Sequence, residues 1–284
     1  MNGWDALDAS TRTFWRVTGR PVDLAGVHTW LDAPTSDRGR VEDAWLLEAG
    51  ARAGGGLRLD DPAAGLLPDL AALDGPTFDV TRLDAGVRDF YEHTAQWRMD
   101  AWSQWSAPFL PGGALITALF GRRLQQLALP VRPLEVSRGI ESTVVPVLDA
   151  DGRQVWAGWV RRLRSTGDHL FSGAYRATTL PGHGRVVHVA FPLQGGNVQV
   201  FLTPSVRPDG ALVLDSRRGP FGAPGAYVAV RSEPGAAPNH HAARVPIHER
   251  FVIYRDGDAL RTDHHLWLRR ALVVRLHYRM ERLA

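Results

Sequence analysis

Three ionisable side chains fall on strand faces that are otherwise apolar. Glu249 alternates with Ile247, Phe251 and Ile253. His264 alternates with Leu260, Thr262, Leu266 and Leu268, and Tyr278 with Leu272, Val274, Leu276 and Met280. A carboxylate and an imidazole within reach of each other can pass a proton, with a phenol to orient them. Glu249 and His264 are therefore the candidate acid/base pair, and Tyr278 the orienting group. The structural alternative is a hydrogen-bonded network, since buried polar groups need partners.

Two arginines occupy similar positions. Arg161 lies in the set Val155, Ala157, Trp159, Arg161, Leu163, and Arg138 among Val136, Ile140 and Val144. A guanidinium turned inward needs an anion, because an unpaired buried charge is costly. Either an internal carboxylate such as Glu249 supplies it, or the planar fork clamps the carboxylate or phosphate of a ligand. Trp159, Phe251 and Tyr91 are the candidate aromatic lining of the same space.

The strands that must position these groups are the last three. Asp256-Gly257-Asp258-Ala259 is a two-residue hairpin signal of type II′. With Gly257 and Asp258 as the turn, Ile253 pairs Thr262, Phe251 pairs His264 and Glu249 pairs Leu266. A three-residue connection Arg269-Arg270-Ala271 then sets Leu266 by Val274, His264 by Leu276 and Thr262 by Tyr278. Apolar face lands on apolar face, as a period of two requires.

Upstream, alternation runs from about residue 134 to the end. Strands are predicted near 134–147, 153–164, 169–179, 185–193, 197–205, 210–216, 225–231, 243–256, 259–268 and 271–281, with turns such as Asp149-Ala-Asp-Gly152 and Arg207-Pro-Asp-Gly210 between them. A long antiparallel meander hides its edges by closing or folding over. The expectation is an antiparallel up-and-down β-barrel, closed or half-closed, with an N-terminal helical cap; the rival is a curved sheet gripping the long helix. Residues 1–84 would form the helical or irregular cap, 85–130 two amphipathic helices packed on the barrel, and 131–284 the barrel. Asp84 is the candidate N-cap of the first of those helices, with Val87, Phe90, Tyr91, Thr94, Trp97, Ala101, Trp102 and Trp105 at helical spacing. The second has Leu115, Ile116, Leu119, Phe120, Leu124 and Leu127 on one face. Ala53-Gly-Gly-Gly-Leu57 reads as a flexible joint, and His240-His241 as part of a solvated loop.

Composition narrows the chemistry. The 284 residues contain no Cys, and all 33 basic residues are Arg. A thiol nucleophile, a thiolate metal site, a lysine Schiff base and a P-loop lysine are excluded. His264 and His265 are adjacent and point to opposite faces of a strand, and no His-x-His or His-Glu-x-x-His occurs, so no metal and no cofactor is expected. The formal charge of +3 is spread without a basic block, so no nucleic-acid partner is expected. The N-terminus lacks the pattern of a secretory signal and no apolar run is long enough for a membrane span, which makes a cytoplasmic location the expectation.

Phe90-Tyr-Glu-His-Thr94, Trp102-Ser-Gln-Trp105, Arg122-Arg-Leu-Gln-Gln-Leu127, Arg138-Gly-Ile-Glu-Ser142 and Leu276-His-Tyr-Arg279 resemble a group of uncharacterised bacterial proteins over roughly residues 79–281. The resemblance implies that helices and strands form one unit. In architecture the barrel looks like the lipocalin-like, or calycin, barrels. The expected function is binding of a hydrophobic small molecule or lipid, with Arg138 or Arg161 meeting an acidic end. The alternatives are a cofactor-free cyclase or isomerase using Glu249, His264 and Tyr278, and a structural protein with a filled barrel.

Overall fold

The computed structural model describes residues 3–37, 41–106, 139–164, 166–167, 169–232, 235 and 239–283. Arg138 and the helix expected over 115–127 lie outside them. In chain order the elements are α1 (Gly3–Thr18), β1 (Arg20–Val22), α2 (Trp45–Ala53), β2 (Gly54–Leu57), α3 (Ala85–Glu92), β3 (Trp97–Trp105), β4 (Ile140–Asp149), β5 (Gln154–Leu163), β6 (His169–Leu180), β7 (Gly184–Leu193), β8 (Gly196–Val206), β9 (Leu212–Asp215), β10 (Ala226–Arg231), β11 (His240–Arg244), β12 (Ile247–Asp256), β13 (Ala259–Leu268) and β14 (Ala271–Arg282). Among the described residues antiparallel strands dominate and helices are few.

The pairing is a forked meander. One path runs β2-β4-β5-β6-β7-β8-β9-β12-β13-β14-β3. The first half of β8 pairs β10 (Val198 opposite Val228), its second half pairs β9 (Ser205 opposite Val213), and β11 and β1 extend the β10 branch. The sheet is curved, but among the described residues it is not closed into a barrel. Its two approaching strands, β3 and β4, share no ladder among the described residues. They meet through side chains instead, Ala101 and Ile140 joining Leu163 and Tyr278 in one apolar cluster.

The register expected of the last three strands is the one observed. Glu249 sits opposite Leu266, Phe251 opposite His264, and Ile253 opposite Thr262. His264 sits opposite Leu276, and Thr262 opposite Tyr278. Gly257 has φ +60° while Asp258 stays out of the positive region, as a type II′ turn demands. The second turn differs from its expectation. It is a two-residue turn with Leu268 opposite Ala271, Arg269 taking a positive φ of 55° where glycine is usual. A bulge after Leu266 absorbs the extra residue and restores the pairing of Leu266 with Val274.

Three other expectations are corrected. The helix begun by Asp84, whose carboxylate accepts from the Gly86 and Val87 amides, ends at Glu92 rather than near 105. Residues 97–105 form β3, paired with β14 from Trp97–Arg282 to Trp105–Val274. That stretch fits both periods, and the open edge of β14 decides in favour of the strand. Gly54-Gly55-Gly56 is an edge strand on β4 rather than a joint; a Cβ at Gly55 would lie 1.9 Å from the Asp149 carbonyl oxygen, so only glycine allows the approach. His240 and His241 belong to β11, a strand separated from β12 at Val245-Pro246.

The N-terminal third covers the sheet in two ways. Residues 64–97 plug one end, burying Leu66, Leu67, Leu70, Phe90 and Tyr91 against the strands' inner face. Arg255 grips the Asp84 carboxylate with two bonds of 2.9 Å, tying the plug to the β12–β13 hairpin. On the outer face, α2 packs Trp45 and Leu46 over Val145, Trp156 and Val160. The segment 29–36 lies across β6–β8 on a buried polar row. Arg176 donates to Nδ1 of His188 (3.1 Å), and His188 Nε2 lies 2.8 Å from the Gln199 side-chain oxygen. Gln199 then donates to the Leu31 carbonyl, and Asn197 to those of Ala33 and Pro34.

Burial, with Arg176 beside it, holds the His188 pKa well below the ordinary 6.5. The imidazole is neutral in the folded protein, whereas the unfolded chain binds a proton as pH drops through 6.5. The stability it contributes is thus complete above that pH and is lost below it. His188→Gln should flatten the fall in urea-unfolding free energy between neutrality and about pH 5, by up to about 1.4 kcal/mol per pH unit. Parallel slopes in parent and variant would show that His188 is not the group responsible.

Candidate functional site

Alternation along β5 turns Ala157, Trp159 and Arg161 inward, and along β6 it turns Phe171 and Tyr175 to the same side. Glu249 and Phe251 of β12, His264 of β13 and Tyr278 of β14 face them across the curved sheet. Tyr91 reaches the same space from the plug, and Met99 from β3. Together they line a cavity of about 150 Å³. Every sequence-expected site residue within the described chain lies on its wall: Arg161, Trp159, Tyr91, Phe251, Glu249, His264 and Tyr278.

Arg161 dominates the electrostatics. It is 7% exposed. Its guanidinium sits between two rings, 4.4 Å from the Trp159 centroid and 4.2 Å from that of Phe171. Nη1 donates to the sulfur of Met99 at 3.3 Å, and Nε is buried with no hydrogen-bond partner. Among the described residues no carboxylate comes within ion-pair distance of it, so the alternative of a pairing with Glu249 is not the one observed. Desolvation lowers its pKa, with Tyr278 and Tyr175 acting in the opposite sense, but an arginine stays charged. Cation–π contact is worth at most about 2 kcal/mol per ring when desolvated, against several kcal/mol for burying the ion. Rings also leave most of the five N–H donors unused.

His264 is the second polar centre. Its ring stacks on Phe251 at 3.7 Å and its Nδ1 lies 3.4 Å from the Tyr278 hydroxyl. Nε2 is 3.5 Å from a Glu249 oxygen and makes no hydrogen bond. The three groups form a loose line rather than a tight relay. Burial pushes the Tyr278 phenol up to about 12 and raises those of Tyr175 and Tyr91 as well. All three remain protonated donors at neutral pH. The cavity thus brings together a guanidinium without an ion-pair partner, an imidazole nitrogen without a hydrogen bond, one carboxylate and three phenolic donors.

Sequence reasoning missed Tyr175, Phe171 and Met99. The first two were visible as the alternation Phe171, Gly173, Tyr175 on the strand after Arg161. Met99 was hidden by the helical reading of β3. His265 faces away from His264, as expected, and among the described residues no group of three or more His, Asp or Glu could hold a metal ion.

No protein-family model matches the chain, and no solved structure matches it. It is 27% identical over 221 residues to the uncharacterized membrane protein YndJ of Bacillus subtilis (strain 168), a match covering 76% of this chain and 38% of that protein. The chain thus spans well under half of that relative's length. The likeness is to an uncharacterised bacterial protein, in line with the motifs, and nothing in it is specific to lipocalins. No described helix is long and apolar enough to cross a membrane.

An unpaired buried cation should cost the empty protein stability. Arg161→Met, which keeps an apolar side chain between the two rings, should raise the unfolding free energy by on the order of 1–4 kcal/mol in thermal or urea melts without ligand. A loss of that size would mean that the ring contacts outweigh desolvation and that Arg161 is a structural residue.

Proposed function

We propose that the protein binds a small, largely apolar molecule carrying a carboxylate or similar anion, with Arg161 as the anion's partner. The observation that carries this is the buried guanidinium without an ion-pair partner in a mostly aromatic and aliphatic cavity, whose lining carboxylate, Glu249, lies beside His264 rather than Arg161. A void of this volume holds roughly one benzene-sized molecule. That favours an aromatic or short-chain acid over a long acyl chain and narrows the lipid expectation. Trp159 and Phe171 would flank the anion's partner, and Phe251, Leu276 and Met280 would cover the apolar body. The lipocalin-like architecture enters only as an analogy of a curved sheet around a ligand. The relative named a membrane protein fits a ligand exchanged with a bilayer, in which apolar acids dissolve.

Benzoate and benzyl alcohol are suitable probes, equal in shape and different in charge. Benzoate should quench tryptophan emission saturably and bind at least about tenfold more tightly than the alcohol, a difference set by one charge-assisted bidentate contact. Arg161→Met should abolish that preference. Equal binding of the two probes by the parent protein would end the proposal.

A second reading, acid/base catalysis on the bound molecule, rests on His264 Nε2, which faces Glu249 without a hydrogen bond. Its signature would be deuterium entering a bound unsaturated acid from heavy water, read by mass spectrometry and lost in His264→Gln. Label incorporation at the uncatalysed rate would leave the protein as a binder only.

A further inference from the structure

The end of the sheet opposite the plug carries a surface whose chemistry fits a bilayer. Two segments meet there. The β13–β14 turn presents Leu268, Arg269, Arg270 and Ala271 to solvent, and the loop after β9 presents Arg217 and Arg218. Arg218 donates to the Arg269 carbonyl, which holds the two segments together. Of these four arginines, only Arg217 has a carboxylate within ion-pair reach among the described residues, Asp215 at 3.2 Å. On the outer face just behind the tip, exposed Arg250 and Arg275 lie on either side of His265, again with no described carboxylate paired to them.

Apolar groups sit inside this ring of charge. Leu268 is 40% exposed at the turn. Trp267 beside it is half-buried, its ring stacked on His248 at 4.7 Å. An aliphatic tip, an adjacent indole and a girdle of guanidinium groups is the pattern that partitions at a membrane–water interface. The tip enters below the headgroups, the indole lies at their level and the cations meet phosphates. An acidic protein or a nucleic acid would satisfy the arginines but would leave Leu268 in water.

The cavity points the same way. On β12 and β13 its wall residues near this end, Glu249, Phe251 and Leu266, are half-buried, whereas Ile253 and Thr262 toward the plug are buried; on β14 Leu276 is buried as well. On β12 and β13 the less covered part of the wall and the basic tip therefore lie toward the same end.

We propose that the β13–β14 hairpin docks this protein on bilayers containing anionic phospholipid. The docking stands independently of what the cavity binds, because the residues are different and the two bindings are measured separately. The whole chain is sedimented with vesicles of mixed phosphatidylcholine and phosphatidylglycerol, and with vesicles of phosphatidylcholine alone. Binding is expected to the mixed vesicles, to be much weaker to the neutral ones, and to fall as salt is raised. Each arginine near such a surface contributes about fivefold, so Arg269→Glu with Arg270→Glu should weaken binding at least about 25-fold. Leu268→Asp, at an exposed position, should weaken it with the arginines intact, and circular dichroism checks that each variant is folded. The proposal is overturned if the variants sediment like the parent. It is equally overturned if neutral vesicles bind as well, or if duplex DNA or polyglutamate competes the protein off the mixed vesicles at equal charge.

Discussion

Parity along the C-terminal strands is the constraint on which everything else rests. Successive side chains on a strand point to opposite sides, so sliding one strand by a single residue exchanges its two faces. The Gly257-Asp258 turn sets that parity for β12 and β13, and the bulge after Leu266 preserves it into β14 despite the shorter second turn. In this register Glu249, His264 and Tyr278 face the interior. The other parity would place Arg250, His265 and His277 there, and the present lining would be wet. The polar composition of the cavity is thus decided by two tight turns on the surface.

Arg161 shows how the interior departs from an ordinary core. An apolar side chain would pack between Trp159 and Phe171 without the cost of dehydrating a charge. The protein instead keeps a cation there and surrounds it with rings, a sulfur and phenols rather than a carboxylate. Phenols and rings temper the charge without neutralising it. Its charge is thus left without an ion-pair partner among the described residues, since the Glu249 carboxylate of the same cavity lies beside His264 instead. The outer face of the same strands follows the opposite rule. There the Arg176–His188–Gln199–Asn197 row closes its hydrogen bonds on the 29–36 segment, as a structural polar network should.

The strands and their register were legible in the sequence because alternation and turn residues act locally. The boundaries of β5, β7, β13 and β14 fall within a residue or two of the alternating runs. Three kinds of information were not local. β3 has an amphipathic pattern that serves either period, and only the free edge of β14 selects the strand. The triglycine strand is defined by what it touches, the Asp149 backbone, rather than by any side chain of its own. The fork at β8 depends on which of two later strands reaches each half of it, which no window of sequence encodes. The inward residues of β5, β12, β13 and β14 were found from alternation alone. Met99 and Tyr175 were not, one because its strand was read as a helix and the other because no ionic partner drew attention to it.

The seam between β3 and β4 gives the interior a property that a closed cylinder lacks. In a closed barrel, strand number and stagger set the girth, and widening it breaks backbone hydrogen bonds. Here, among the described residues, Ala101 and Ile140 touch where a ladder would otherwise run. The sheet behaves as a split collar. Among the described residues, its girth at this seam is set by the packing of apolar side chains rather than by a backbone ladder.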